Sequence, residues 1–375
     1  ELSGANWTSD FATQFHNRRG YDVLPFLPFL LNEEARSGAA FADSLKRVRF
    51  DYSETLAELF MERFIIPFHE WCHENGVQSR YQAYGFPWLY TDLLNGYLVP
   101  DIPESDQWLY NAGWIHHAEI DQIRYATWNK YASSAAHLNG RKIVSCEAMT
   151  NTRGVFQTTL EYIKQATDIN IICGINHLVL HGYNYSPPEI GFPGWIRFGT
   201  YFSDQNTWWH YFKLWADYAA RLGWIFQNSN PTADVAILGP TPDVWSRHGL
   251  DRNPWILTPW YLHALWQALN HNGYSADYVN HSILQKAEFE NGTISYGEMH
   301  YRVLIVANVE TIFPETAEAL LKYAQSGGKI IFIGSVPNRS AGLMNHEADD
   351  KIIKNIMHRI ISEHISNVRM VEEPA

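Results

Sequence analysis

The feature that most constrains this chain is an alternation of helical and buried extended segments along its first 228 residues, one pair about every forty residues. Leu56, Leu59, Phe60, Phe64 and Ile65 recur at helical spacing and predict a helix over residues 53–75, closed by Gly76. A strand over residues 77–85 follows, and residues 97–104 read as a short extended segment. A helix over 120–138 leads through Asn139-Gly140 into a buried strand, Lys142-Ile143-Val144-Ser145-Cys146-Glu147. A further helix over 158–168 precedes the buried run His177-Leu178-Val179-Leu180-His181-Gly182-Tyr183. Helix–strand alternation of this kind predicts a parallel α/β sheet or barrel. In a barrel the functional residues sit at the carboxyl ends of the strands. Here those ends carry Gln82, Glu104, Glu147 and His181, where a purely structural strand would continue aliphatic.

The texture changes after the linker Asn228-Ser229-Asn230-Pro231-Thr232. Strands are expected over 233–240, 275–279, 301–307 and 329–334, with helices over 261–272 and 314–326 between them. That pattern predicts a doubly wound, flavodoxin-like accessory domain over 229–375, ending in a helix and a short extended tail. Its first strand runs into Gly239-Pro240-Thr241-Pro242 rather than a glycine-rich nucleotide loop. All three cysteines, Cys72, Cys146 and Cys173, precede this region, so it carries no cysteine nucleophile. None of them forms a Cys-x-x-Cys pair.

Composition narrows the function. The 375 residues include 15 Trp, 21 Tyr and 19 Phe, and the net charge is −12. The aromatic content argues against disorder, and the lack of excess Lys and Arg against nucleic acid as a partner. No apolar run approaches the length of a membrane span. The aromatics are densest in residues 1–228, near the polar strand ends, as a carbohydrate cleft would require.

Glu147 ends an apolar run, and a carboxylate placed there needs a partner or a chemical task. Asp101, Glu104 and Asp106 read as an acidic loop, suited to a hard cation such as calcium or to solvent. Paired carboxylates flanking a sugar are the working parts of most glycosidases. A second string, His69-Glu70-Trp71-Cys72-His73, matches the zinc-peptidase pattern literally. The sequence offers no obvious third ligand for it.

The ordered motifs resemble those of glycoside hydrolase family 106, the α-L-rhamnosidases and their relatives. They are Asn6-Trp7-Thr8, Arg18-Arg19-Gly20-Tyr21-Asp22, Arg49-Phe50-Asp51-Tyr52, Gln82-Ala83-Tyr84-Gly85, Asp101-Ile102-Pro103-Glu104, Ser145-Cys146-Glu147-Ala148-Met149-Thr150, His181-Gly182-Tyr183 and Asn206-Thr207-Trp208-Trp209. The resemblance implies a (β/α)8-type catalytic domain, inverting hydrolysis of terminal α-L-rhamnosides and a calcium ion near the sugar. It implies Glu1 as general acid and Glu147 as general base, with Glu104 and Asp101 toward the metal. Gln82, Tyr84, His181, Tyr183, Trp208 and Trp209 are the expected sugar contacts. Inversion requires the two carboxyl groups roughly 6.5–9.5 Å apart.

Measured against that family, residues 1–228 supply only the carboxyl-terminal half of a barrel. A companion chain or a preceding segment is therefore expected to complete it. The alternatives are a retaining β-galactosidase-like enzyme and a non-catalytic sugar-binding or structural fragment.

Overall fold

The computed structural model describes residues 7–31, 42–83, 92–109, 126–151, 156–195, 199–247, 260–364 and 366–372. Helices α1 (Phe11–Arg19), α2 (Leu27–Leu31), α3 (Ala42–Phe60) and α4 (Ile66–Glu74) come first. The helix expected from residue 53 thus begins at Ala42, and α3 passes into α4 through a π-helical turn, Met61–Ile65. Pro67 has no N–H to give to the carbonyl four residues back, so the ladder is interrupted there.

Strands β1 (Arg80–Gln82), β2 (Ile102–Leu109), β3 (Ser145–Asn151) and β4 (His177–Leu180) alternate with α5 (Leu93–Leu98), α6 (Ala126–Leu138) and α7 (Leu160–Ile172). The four strands pair in chain order, all parallel. Helix α8 (Phe212–Gln227) follows. Two sequence expectations change here. Residues 97 and 98, read as the start of an extended segment, are the last turn of α5, which the Asp92 carboxylate caps by accepting the Leu94 N–H at 2.9 Å. The acidic run after residue 101 is strand β2, not a loop, and Glu147 is the third residue of β3 rather than its end.

The second sheet contains β5 (Val235–Leu238), β6 (Ala276–Val279), β10 (Val303–Ala307), β11 (Lys329–Ile333) and β12 (Val368–Val371). Its order is β12-β11-β10-β5-β6 and every pair is parallel. Helices α9 (Thr241–Arg247), α10 (Trp260–His271), α11 (His281–Lys286), α12 (Pro314–Gln325) and α13 (His346–Glu363) connect the strands. Strands β5 and β6 are buried throughout, as expected of a parallel sheet covered on both faces. Two features were not anticipated. The tail supplies a fifth strand, and an antiparallel ribbon of β7 (Glu288–Glu290), β8 (Thr293–Tyr296) and β9 (Met299–Tyr301) precedes β10.

Helix α6 joins the two sheets. It packs behind β2 on one side and against β6 on the other. At that seam Asp277 is fully buried and accepts bonds from Lys130 Nζ (2.7 Å), Ser134 Oγ (3.1 Å) and Tyr301 Oη (3.2 Å), with His137 Nδ1 at 2.9 Å. Burial alone would raise its carboxyl. The charges of His137 and Lys130 outweigh that and hold it far below the usual carboxylate range. The first helices also reach the second sheet's side of the molecule. Arg47 pairs with Asp350 at 2.8 Å, and Asp51 accepts the Leu343 N–H at 2.9 Å.

Candidate active site

Strand alternation sorts the residues of β1–β4 onto two faces. Register places Gln82, Glu104, Ser145 and His177 in one row across the sheet, and Asp106, Glu147 and Val179 in the next. The opposite face meets α6 and α7, where Ser105, Asn129, Asn170 and Gln107 form a buried hydrogen-bonded chain of 2.6–2.8 Å links. Gln107 Nε2 closes it on the Ala166 carbonyl at 3.0 Å. The outer side of β2 is thereby locked to α6 and α7, and the carboxylates of β2 and β3 share the other face.

Glu104 is buried, accepts Ser145 Oγ at 2.8 Å and pairs with the Arg80 guanidinium, Nε at 3.2 Å. Burial raises its carboxyl above the usual value and the nearby charge of Glu147 adds to this, while Ser145 and Arg80 oppose it. Glu147 is one-third exposed and lies 3.1 Å from His181 Nδ1. Thr150 Oγ1 stands 2.9 Å from the same ring nitrogen. Thr150 reaches this face because the ladder slips between Asp106 and Trp108, leaving an extra residue in β3. Met149, inside that bulge, has φ +68°, and its carbonyl accepts Thr200 Oγ1 at 2.5 Å. A bulge re-aims the residues that follow it, and here it turns Thr150 toward His181.

Asp106, the register partner of Glu147, accepts Trp108 Nε1 at 2.7 Å. Glu104, Asp106 and Glu147 thus form a carboxylate group on adjacent strands. All three stand out in the sequence, where the first two read as loop residues; Ser145, Thr150 and Arg80 carry no such signal as supports. The available signal was the alternation Glu104, Asp106, Trp108, which is strand spacing.

The aromatic expectations divide. Tyr183, three residues past β4, is 61 % exposed and meets Trp209 edge-on at 6.1 Å. Trp209 in turn stacks on Phe212 at 5.0 Å. These rings form a shelf beside the end of β4. Trp208 instead packs against Phe202 and Phe212 and donates its indole N–H to the Thr158 carbonyl at 2.8 Å. Those contacts make it a packing residue rather than a sugar platform. Gln82 stands beside Glu104 in the row below Glu147. Glu1 and Tyr84 lie outside the described residues.

Asp101 and Glu104, the expected calcium ligands, turn to separate partners. Asp101 precedes β2, where its carboxylate accepts the Ser79 N–H (2.9 Å) and Ser79 Oγ (3.0 Å) and lies 2.8 Å from His73 Nε2. Burial works against ionisation there, yet the Ser79 and His73 bonds bring the carboxyl down to about 2. Arg141 stands 3.5 Å from its other oxygen, and Arg80 occupies Glu104. Calcium asks for six to eight oxygen ligands, and two carboxylates turned to separate cationic partners do not supply them. His69 and His73 do converge with Asp101, their ligand atoms within 4.8 Å of one another. Glu70, the would-be base of a zinc peptidase, is exposed. His69 Nδ1 is engaged 2.7 Å from Ser79 Oγ, so the cluster reads as a hydrogen-bonded clasp between α4 and the foot of β2.

The sequence matches the family model described as alpha-L-rhamnosidase, glycoside hydrolase family 106, over residues 1–374. The chain belongs to this family. It is 27 % identical over 361 residues to a Formosa agariphila protein provisionally named a beta-glucuronidase, covering 95 % of this chain and 28 % of that protein. The rhamnosidase structure from Novosphingobium sp. PP1Y matches with a TM-score of 0.71 at 21 % identity, over 100 % of this chain and 34 % of that one. The beta-galactosidase of the Antarctic haloarchaeon Halorubrum lacusprofundi matches with a TM-score of 0.58 at 14 % identity, over 87 % of this chain and 50 % of its own. The chain thus spans about a third of the rhamnosidase structure and less of the curated relative. These likenesses share a mixed α/β fold with parallel sheets.

Proposed function

We propose that this chain is part of a glycosidase acting on terminal α-L-rhamnosides, with Glu147 as the catalytic carboxylate on its side of the cleft. Two strand orders support the architecture. The four strands in chain order are what consecutive β/α units of a (β/α)8-type barrel look like when the remaining units lie elsewhere. The order β12-β11-β10-β5-β6 is the flavodoxin-like 2-1-3-4-5 arrangement. On this reading 1–228 and 229–375 are the barrel and accessory parts. The open sides of β1 and β4, unpaired among the described residues, are where the rest of the barrel joins, whether from the same polypeptide or a companion chain.

The observation that carries the chemical reading is Glu147. It is a solvent-reachable carboxylate on the face that β2 and β3 share, held by His181, beside two further carboxylates and an exposed aromatic shelf. In the inverting reaction Glu147 removes a proton from water as the water oxygen bonds to the anomeric carbon. A second carboxylic acid protonates the departing glycosidic oxygen, so the sugar–oxygen bond breaks without a covalent intermediate. The family resemblance gives that second role to Glu1. Thr150 and His181 fix the direction of Glu147, and Glu104 with Ser145 fixes the row beneath it. The Tyr183–Trp209 shelf suits the apolar C6 methyl face of rhamnose.

A second reading is a retaining glycosidase acting on β-galactosides or β-glucuronides, suggested by the names of the similar proteins above. A panel of aryl glycosides separates the two. Release from α-L-rhamnoside with the β-anomer as first product supports the proposal. Release only from β-galactoside or β-glucuronide, or unchanged hydrolysis in a folded Glu147→Gln variant, overturns it.

A further inference from the structure

A second crevice, unconnected with the Glu147 face, opens where β5, β6 and β10 end, between the second sheet and α3. Its volume is about 550 Å³, within the range of small-molecule sites. The position is notable in itself. Strand β5 has β6 on one side and β10 on the other. In open parallel sheets, ligands bind outside the carboxyl ends of the strands where the order reverses in this way.

One wall is aromatic. Phe50 lies 6.0 Å from Trp245 and 5.9 Å from Phe313, which in turn meets the His281 ring edge-on at 5.1 Å. The other wall presents Asn95, Gln285 and His281. His281 is 6 % exposed; its Nδ1 faces Thr316 Oγ1 at 3.2 Å and its buried Nε2 has no hydrogen-bond partner. A buried polar atom left in this state destabilises the fold, and a ligand hydroxyl would relieve it.

The charge of the lining selects the ligand. Among the described residues no Lys or Arg lines the crevice, and no glycine-rich loop follows β5, so phosphate and other anions gain little there. Carboxylates line it as well: Glu54 pairs with Arg19 at 2.6 Å, Glu58 and Glu62 pair with Arg18 at 3.2 and 2.6 Å, Asp92 accepts the Leu94 N–H at 2.9 Å, and Glu315 completes the set. These groups repel an anionic ligand and offer acceptors to hydroxyls. His281 stays a neutral imidazole, because burial lowers it to about 3. An aromatic wall facing amide, imidazole and carboxylate groups is the recognition chemistry of an uncharged sugar: the rings take its C–H face and the polar groups its hydroxyls.

We propose that this crevice is a second saccharide site, taking a neutral sugar independently of hydrolysis at Glu147. The test is binding of methyl α-L-rhamnoside, methyl β-D-galactoside and D-glucuronate, followed by saturation-transfer NMR and calorimetry. It uses the intact protein and its Trp209→Ala, Gln285→Ala and Trp245→Phe variants. The expected result is saturable millimolar binding of at least one neutral glycoside that survives Trp209→Ala and weakens about tenfold, or 1.4 kcal/mol, in Gln285→Ala. Circular dichroism and the thermal midpoint should be unchanged in Gln285→Ala, with Trp245→Phe confirming the effect where it folds. Absence of binding by either neutral glycoside, equal affinity in Gln285→Ala, loss of all binding in Trp209→Ala, or glucuronate binding as tightly as the neutral sugars each overturns the proposal. None of these outcomes bears on whether Glu147 is catalytic, so the two readings fail separately.

Discussion

The seam between the two sheets makes a sharp stability prediction. Replacing Asp277 by Ala removes four contacts at once and leaves the Lys130 ammonium, 4 % exposed, without its counter-charge. Breaking one side of a buried ion pair costs about 3–5 kcal/mol. At roughly 2–4 °C per kcal/mol for a cooperative unit of this size class, the midpoint should fall on the order of 10 °C. Replacing both charges, as Lys130→Met with Asp277→Leu, should recover much of the loss, since the uncompensated ammonium disappears with its partner. The acid limb carries a second signature. Asp277 is depressed in the fold, so its contribution is complete above about 4, the unfolded carboxyl value. It is lost as the pH falls toward the folded-state value. The wild type should therefore lose more stability than Asp277→Ala between pH 4 and the lower limit of the titration. Urea unfolding across pH for wild type, single and double variants reads all three effects. A loss under about 1 kcal/mol in Asp277→Ala, or a double variant no more stable than the single, would refute the reasoning.

Glu147→Gln should lower turnover of an aryl α-L-rhamnoside by about 10²–10⁴-fold, the usual contribution of a positioned acid or base. The folded state should be retained, because the side chain is one-third exposed and its bond to His181 can be replaced by an amide. His181→Phe should reduce turnover less than Glu147→Gln and shift the pH–rate profile, as expected of a positioning residue. Steady-state kinetics on both variants decides. Asp101→Asn should cost about 1–3 kcal/mol of stability by weakening the Ser79 and His73 bonds. Any calcium affinity of the protein should be unchanged, measured by calorimetry with added calcium. Asp92 and Asp243 are pushed up to about 6 by burial, and Glu54 to about 7. Keeping them ionised opposes folding, so stability should rise as the pH drops from 8 to 5, checked by the thermal midpoint.

The parts of this fold legible in the sequence are those set by local periodicity. Helix α12 and strands β5, β6, β10 and β11 fall within a residue or two of expectation, because long apolar runs bounded by Gly or Pro leave few readings. Strand β12 was not legible as a strand. Val368, Arg369, Met370 and Val371 are ordinary locally, and only pairing along β11 makes them sheet. The same holds for residues 7–60, whose helices carry a pattern that does not say what they cover. The ion pairs of Arg47 and Arg339 with Asp350 and Asp43 show that part of the answer lies some three hundred residues away.

The candidate site follows the same division. Glu147 was found because a carboxylate in a buried run is a local anomaly. Asp106 was misplaced because Pro103 argued for a turn, whereas a proline is tolerated near the start of a strand; it is the second residue of β2. Thr150 was beyond reach for a different reason. Strict alternation from Glu147 places Met149, not Thr150, on the carboxylate face. Only the extra residue, with Met149 at φ +68°, exchanges them. A non-glycine residue in that region is costly, so no sequence rule would have put one there. The carboxylate row is therefore a property of strand alternation, while the grip on His181 depends on the one position where alternation fails.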